Sequence, residues 1–243
     1  KESKKNFILE PALHLKFKLN SDSFFSANLR YNQNTNIEQY FFINQVLINN
    51  RTTVSNLPSL ELQKVQSYSL LFFKNNLYKQ FEIKANLSFQ KSIGNFFTNQ
   101  NITENTSQIE YFFLPQENNN WNMNIQSSKY ISFIESTIKL TSSYTVLNFK
   151  NIVNNSDLRQ NQNVFLTNSL FWKTAFDTHL NFENTFTYQF SKSKSEFQSA
   201  FINKLWKNTF KIIFKPSKNL FFNFVLLMNT KKMLFMKWHF RLK

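Results

Sequence analysis

The chain has 243 residues, no cysteine, a single glycine, four prolines and a formal net charge of +15. Without cysteine, a disulfide framework, a thiolate metal site and a cysteine nucleophile are excluded, and 42% hydrophobic residues argue against disorder of the whole chain. So large a positive charge asks for a negative counterpart: lipid headgroups, an acidic neighbouring domain, an anionic solute or nucleic acid.

Alternation with period 2 recurs from end to end, and helical i, i+3, i+4 stripes are scarce. The first strand is ALHLKFKLN (12–20), with Leu13, Leu15, Phe17 and Leu19 opposite His14, Lys16 and Lys18. Past the tight turn SDS comes FFSANLRYNQ (24–33), where Phe25, Ala27, Leu29 and Tyr31 oppose Asn28 and Arg30. An irregular stretch, 34–64, leads to VQSYSLLFFK (65–74). Beyond NNLY lies a strand over 79–92, in which Phe81, Ile83, Ala85, Leu87 and Phe89 alternate with Glu82, Lys84, Asn86, Ser88 and Gln90. A second irregular stretch, 93–106, precedes a long strand over 107–127, with a bulge or inserted loop expected at PQENNN.

The strand over 134–147 sets Ile134, Ile138, Leu140, Tyr144 and Val146 against Glu135, Thr137, Lys139 and Thr141. The loop 148–162 leads to VFLTNSLFWK (164–173), and TAFDT leads on to 179–190, where Leu180, Phe182, Phe186, Tyr188 and Phe190 oppose Asn181, Glu183, Thr185, Thr187 and Gln189. A strand over 197–214 turns at KPSKN into 220–229. Last comes LFMKWHFRL (234–242), with Met236, Trp238 and Phe240 opposite Lys237, His239 and Arg241. Since Gly94 is the only glycine, asparagine is expected to make most turns, because it tolerates left-handed backbone better than other side chains do.

The connections alternate between tight and long, as in outer-membrane barrels, whose periplasmic turns are short and external loops longer. A soluble sandwich has no reason to sort its loops that way. Aromatic residues such as Phe24, Phe72, Trp121, Tyr130, Trp172 and Trp206 fall near strand ends, where a barrel carries its interfacial girdles. The densest apolar run, LFFNFVLLM (220–228), falls well short of the ~18 residues of a helical membrane span. The expected fold is therefore all-β: an antiparallel transmembrane β-barrel wall of about 11 strands, with residues 1–243 forming one region. Open edges in lipid leave backbone groups unpaired, so further strands are expected to meet 12–20 and 234–242.

The pieces EPALHLKFKLNSDSFFSANLRYNQNTNIEQ (10–39), LINNRTTVSN (47–56), SYSLLFFKNNLYKQFEIKANLSFQKS (67–92), SSKYISFIESTIKLTSSY (127–144) and WKNTFKIIFKPSKNLFFNF (206–224) carry a further signal. In order and spacing this sequence resembles the C-terminal barrel half of Bacteroidetes TonB-dependent receptors, the SusC-like superfamily. The resemblance implies a 22-strand type of barrel closed around an N-terminal plug in the bacterial outer membrane, importing a bulky nutrient with energy from TonB. It also implies partners: outer-membrane lipid, the remaining strands and plug, TonB through that plug, and a surface lipoprotein. Two departures stand against it. No plug or TonB-contact segment lies in these residues, and the chain ends at WHFRLK where relatives often continue with a hairpin and a terminal aromatic strand. The expectation is thus a fragment, a chain completed by another polypeptide, or a shortened relative, with any signal peptide absent or already removed.

On this reading the polar side of the strands faces the lumen, and Lys16, Lys18, Arg30, Glu82, Lys84, Lys139, Glu183, Lys237, His239 and Arg241 are the candidate contacts to solute or plug. Phe81, Ile83, Leu87, Phe89, Trp238 and Phe240 face lipid. No catalytic residue, metal site or cofactor is expected: His14, His179 and His239 lie on separate strands, and Lys237 and Arg241 beside His239 repel a metal cation. Carboxylates such as Glu82, Glu110, Glu135 and Glu183 are dispersed and read as partners for Lys and Arg rather than an acid/base pair. Two other functions compete with transport. One is a structural or assembly subunit of an outer-membrane complex. The other is an RNA- or ribosome-associated basic protein of an AT-rich organelle, against which the strand-by-strand dispersal of the basic residues speaks; nucleic acid is not the expected partner.

Overall fold

The computed structural model describes residues 8–34, 46–56, 62–196, 198–217, 220–229 and 235–242. Thirteen strands form one sheet: β1 (Ala12–Asn20), β2 (Ser23–Asn34), β3 (Val46–Asn49), β4 (Thr52–Asn56), β5 (Gln63–Asn76), β6 (Phe81–Ile102) and β7 (Ser107–Ile131), then β8 (Ser136–Val153), β9 (Arg159–Thr174), β10 (Leu180–Ser195), β11 (Gln198–Ser217), β12 (Leu220–Asn229) and β13 (Phe235–Leu242). Eleven of them follow one antiparallel path, β1-β2-β5-β6-β7-β8-β9-β10-β11-β12-β13, and β1 and β13 are its open edges. Short connections between strands that alternate strictly in polarity leave the antiparallel meander as the natural pairing.

Three stretches expected to be irregular turn out to be strand. Residues 46–56 form the β3–β4 hairpin, whose second strand pairs in parallel with β7 from Thr52 opposite Ser107 to Asn56 opposite Tyr111. Residues 93–102 continue β6, which pairs with β7 out to Ile102 opposite Ser107, and only 103–106 form a turn. Of 148–162, only 154–158 is loop, since β8 reaches Val153 and β9 starts at Arg159. Asn-rich sequence was read as turn here because asparagine is rare in strands, but cross-strand pairing of the neighbours overrides that weak preference. Residues 35–45 and 57–61 of the stretch 34–64, and the centre of the KPSKN turn, lie outside the described residues. Ile134 and Glu135 belong to a 3-10 turn over Ser132–Ile134 instead of a strand, with Glu135 left-handed at φ 44°.

Asparagine does take over part of glycine's role. Among the described residues the positive φ values outside glycine are those of Asn154, Asn155, Gln80 and Glu135. The bulge expected at PQENNN is present: pairing jumps from Ile93 opposite Glu117 to Asn95 opposite Leu114, so Pro115 and Gln116 on β7 together oppose Gly94. Proline fits there because it has no N–H to give to a ladder.

Cross-strand register carries one apolar row from β1 to β10. Leu15, Ala27, Leu70, Leu87, Met123 and Tyr144 stand opposite one another in turn. The row goes on through Leu166 and Phe190 and ends opposite Lys204 on β11, and the same face also carries Leu170, Phe186, Trp206 and Phe210. Among the described residues every extensive contact between strands is with a hydrogen-bonded neighbour, so none of them forms a second layer over this face. Leu70 is 57% exposed and Leu170 46%. The chain exposes 17346 Å², against roughly 11,000 Å² for a compact globular protein of 29.1 kDa.

Buried side chains sit at both ends of the sheet: Ser136 and Thr174 pack near the short turns, and another group packs where β6 and β7 outrun the other strands. Val65 and Phe97 are buried there, with Ser92, Asn95 and Asn99. Gly94 makes the bend: its φ is +75°, and a Cβ would stand 2.6 Å from Cζ of Phe113 and 3.3 Å from the Leu62 carbonyl oxygen. β6 can then meet a second neighbour, pairing in parallel with β8 at Asn99 opposite Ile152 and Gln100 opposite Val153.

Candidate functional site on the polar face

The alternation that puts Leu, Phe and Tyr on one side puts hydroxyls, amides and charges on the other. The ten polar candidates, Lys16, Lys18, Arg30, Glu82, Lys84, Lys139, Glu183, Lys237, His239 and Arg241, all occupy positions on that second face. Phe81, Ile83, Leu87, Phe89, Trp238 and Phe240 all occupy positions on the apolar one.

A polar rung crosses the middle of the second face. His14 stands opposite Asn28, Asn28 opposite Ser69, Ser69 opposite Ser88, Ser88 opposite Asn122 and Asn122 opposite Thr145. The His14 ring contacts the Asn28 side-chain oxygen, and the Asn28 amide donates to Oγ of Ser69 at 3.1 Å. Farther along, Ser88 Oγ donates to the Asn122 carbonyl at 3.4 Å and the Asn122 amide to Oγ1 of Thr145 at 2.8 Å. Such a rung satisfies its own groups while keeping spare acceptors and donors for water or a hydrated solute.

Charges are spaced along this face and not pooled. Glu183 sits in register between Lys173 on β9 and Lys211 on β11. Lys16 Nζ lies 4.2 Å from the centre of the Phe24 ring and Lys139 Nζ 5.8 Å from that of Phe171, so aromatic faces hold two of the ammonium groups by cation–π attraction. Glu82 is opposite Asn75 and Ser128, while Glu183 is four strands away on β10, about 19 Å along the sheet at the usual strand spacing. Two carboxylates that far apart cannot share one substrate atom. Among the described residues no group of three or more His, Cys, Asp or Glu side chains is placed to hold a metal ion, and no helix is long and apolar enough to cross a membrane.

Two features at the long-strand end escape a reading of the sequence. Buried Asn95 and Asn99 look like loop residues in NFFTNQNIT (95–103), yet they tie this end of the sheet together. The Asn95 amide donates to the Gln116 carbonyl at 2.8 Å while its side-chain oxygen accepts from Gln63 at 2.7 Å. The other feature is a cavity of about 630 Å³ between the ends of β7, β8, β9 and β10. Its lining comes from QENNN, NFK, QNQ and KSE, pieces that only the register brings side by side.

No protein-family model matches this chain, and none of the curated proteins is similar to it in sequence.

Proposed function

We propose that the chain forms part of the wall of an outer-membrane β-barrel, and that the barrel serves a transporter of the TonB-dependent kind that imports a bulky nutrient. The observation that carries this is the apolar face, which runs strand after strand along the meander with no layer of the described residues packed on it. In water such a face would aggregate, because exposed apolar patches above a few hundred Å² are rare on soluble monomers. In a bilayer it is the expected outer surface of a barrel. Phe81 to Phe89 span about 27 Å along β6, which at a barrel tilt of about 40° covers about 21 Å of an apolar band near 25 Å.

Three further observations support the reading. The opposite face is polar and positively charged, as a wet lumen is. Aromatic rings gather at the margins of the band: Tyr68, Phe89 and Trp121 contact one another at one margin, with Phe89 and Trp121 centres 4.4 Å apart, and Trp172 stands near the other. The connections at the Trp172 end are short, with turns at 21–22, 77–80 and 132–135, as periplasmic turns are.

The open edges favour a second reading, a structural or assembly subunit whose barrel is closed by another polypeptide. β1 is exposed along its whole length and among the described residues pairs only with β2, and in lipid its free edge must be paired. Two measurements decide. Carbonate extraction of membranes should leave the protein in the pellet; release into the supernatant removes the membrane reading. Deletion of the gene should abolish uptake of one bulky nutrient; a deletion strain with normal uptake and misassembled outer-membrane complexes favours the structural role.

A further inference from the structure

The apolar face is uneven where β1, β2, β5, β6 and β7 meet. Ala85 stands in register between Phe72 and Ile125, and Ala27 between Leu15 and Leu70. Two small side chains among large ones leave a hollow of about 480 Å³, walled by Phe25, Phe72, Leu87 and Met123. The Phe25 and Phe72 ring centres, 4.8 Å apart, set the wall toward the short turns. No charged side chain lines the hollow. A gap in a packed apolar surface forfeits dispersion contacts, which a flexible hydrocarbon chain restores.

Cations gather at one side of this hollow. On the same face Lys74 lies two residues beyond Phe72, Lys129 lies four beyond Ile125, and Ser127 stands between. The two lysines flank β6 at Ile83 and Phe81, about 10 Å apart across the sheet. Among the described residues no other Lys or Arg of a strand occupies the short-turn margin of the apolar face. Lys64 and Lys91, on the same face, sit at the far ends of β5 and β6. Neither Lys74 nor Lys129 is paired with a carboxylate of the described residues, and Asp22 of the adjoining turn has its carboxylate on the Asn76 amide at 2.9 Å. Two unmatched positive charges therefore stand beside an uncharged hollow.

An amphiphile with a negative head joins these two features. We propose that the hollow binds one anionic phospholipid, an acyl chain lying over Ala27 and Ala85 while Lys74 and Lys129 extend along the face to its phosphate. Lysine suits this role because its apolar stem lies on hydrocarbon while the ammonium reaches headgroup level, and each such lysine adds to the attraction of an anionic lipid. A zwitterionic headgroup would bring its own ammonium against the pair. The inference rests on the barrel reading, which turns this face to lipid and the short turns to the periplasm, so that the site belongs to the inner leaflet.

Native mass spectrometry of the full chain in detergent micelles, titrated with phosphatidylglycerol or with phosphatidylcholine of the same acyl chains, counts the lipids retained. One phosphatidylglycerol is expected to stay bound where phosphatidylcholine is lost, and glycerol phosphate, which has no chain, should not displace it. Lys74→Gln combined with Lys129→Gln should weaken retention about thirtyfold, the effect of two headgroup lysines, whereas Lys64→Gln at the other end of β5 should change nothing. Ala85→Leu fills the hollow without touching charge and should weaken retention about tenfold, as the loss of about two methylene contacts implies. Ala27→Leu serves in its place if Ala85→Leu folds poorly by circular dichroism. Equal retention of the two lipids, displacement by glycerol phosphate, or indifference to either the lysine or the alanine substitutions overturns the proposal. Carbonate extraction reports on the barrel reading separately. A chain that stays in the pellet but shows no lipid preference loses only this site, and a chain released by carbonate that still retains phosphatidylglycerol keeps the site and loses the barrel.

Discussion

The Asn99 side-chain amide donates to Oδ1 of Asn155 at 2.7 Å, and the Asn155 backbone N–H returns a bond to Oδ1 of Asn99 at 3.4 Å, across 56 positions of sequence. This reciprocal pair locks the turn after β8 onto the far end of β6. Asn154 joins it, its side chain accepting from the Ile102 N–H at 2.8 Å and its own N–H donating to the Gln100 carbonyl at 2.9 Å. Because Asn99 is buried, Asn99→Leu should cost about 1–3 kcal/mol, the usual effect of leaving buried partners unsatisfied. Hydrogen exchange at the Asn155 and Ile102 amides should accelerate before the rest of the sheet responds.

Gly94→Ala should be as damaging for two separable reasons. The left-handed φ of +75° disfavours any side chain, and the new Cβ would meet the Phe113 ring at 2.6 Å. We expect a loss of about 1–3 kcal/mol in denaturant titration, of which Phe113→Leu in the same chain restores only the steric part. Full recovery would mean that the backbone conformation carries no penalty.

Leu140 lies on the apolar face between Ser127 and Leu170, and Thr141 beside it lies on the polar face. If lipid covers the first face, Leu140→Arg should destabilise the protein in vesicles by about 2–4 kcal/mol. Thr141→Arg should change stability by less than about 0.5 kcal/mol, as a substitution on a wet surface does. Equal effects at the two positions would place both in the same medium.

Glu183 is the only acidic residue in the register run Lys173, Glu183, Lys211. Glu183→Lys would set three like charges side by side on neighbouring strands, at about 0.2–1 kcal/mol for each opposed pair. The loss should shrink as salt is raised from about 0.01 to 1 M, where the screening length falls to about 3 Å. A salt-independent loss would point to packing instead.

Much of this architecture was legible in the sequence, for a physical reason. Strict alternation, as in FEIKANLSFQ, fixes which face each side chain takes, and register cannot slip by one residue without inverting both faces. Phe81 and Glu82 could therefore be assigned to opposite faces before any pairing was known. What could not be read was the fate of Asn-rich segments. QENNN and TNQNI lack alternation because both of their faces are polar, so they look like loops until β6 and β7 pair across them. The cavity at the ends of β7, β8, β9 and β10 escaped for the same reason: Asn119, Asn148 and Gln162 are unremarkable singly and stand side by side only through cross-strand register.

The central claim is that the apolar face meets lipid and the opposite face meets water. A chain with no native cysteine allows a direct test by single substitutions to cysteine at each position from Phe81 to Gln90, with a membrane-impermeant maleimide added to intact membranes and to permeabilised ones. The account predicts a period of two: Glu82, Lys84, Asn86, Ser88 and Gln90 positions label, while Phe81, Ile83, Ala85, Leu87 and Phe89 positions stay protected until detergent is added. Labelling of both sets at similar rates, or protection of the apolar set in a protein that is free in solution, would contradict it.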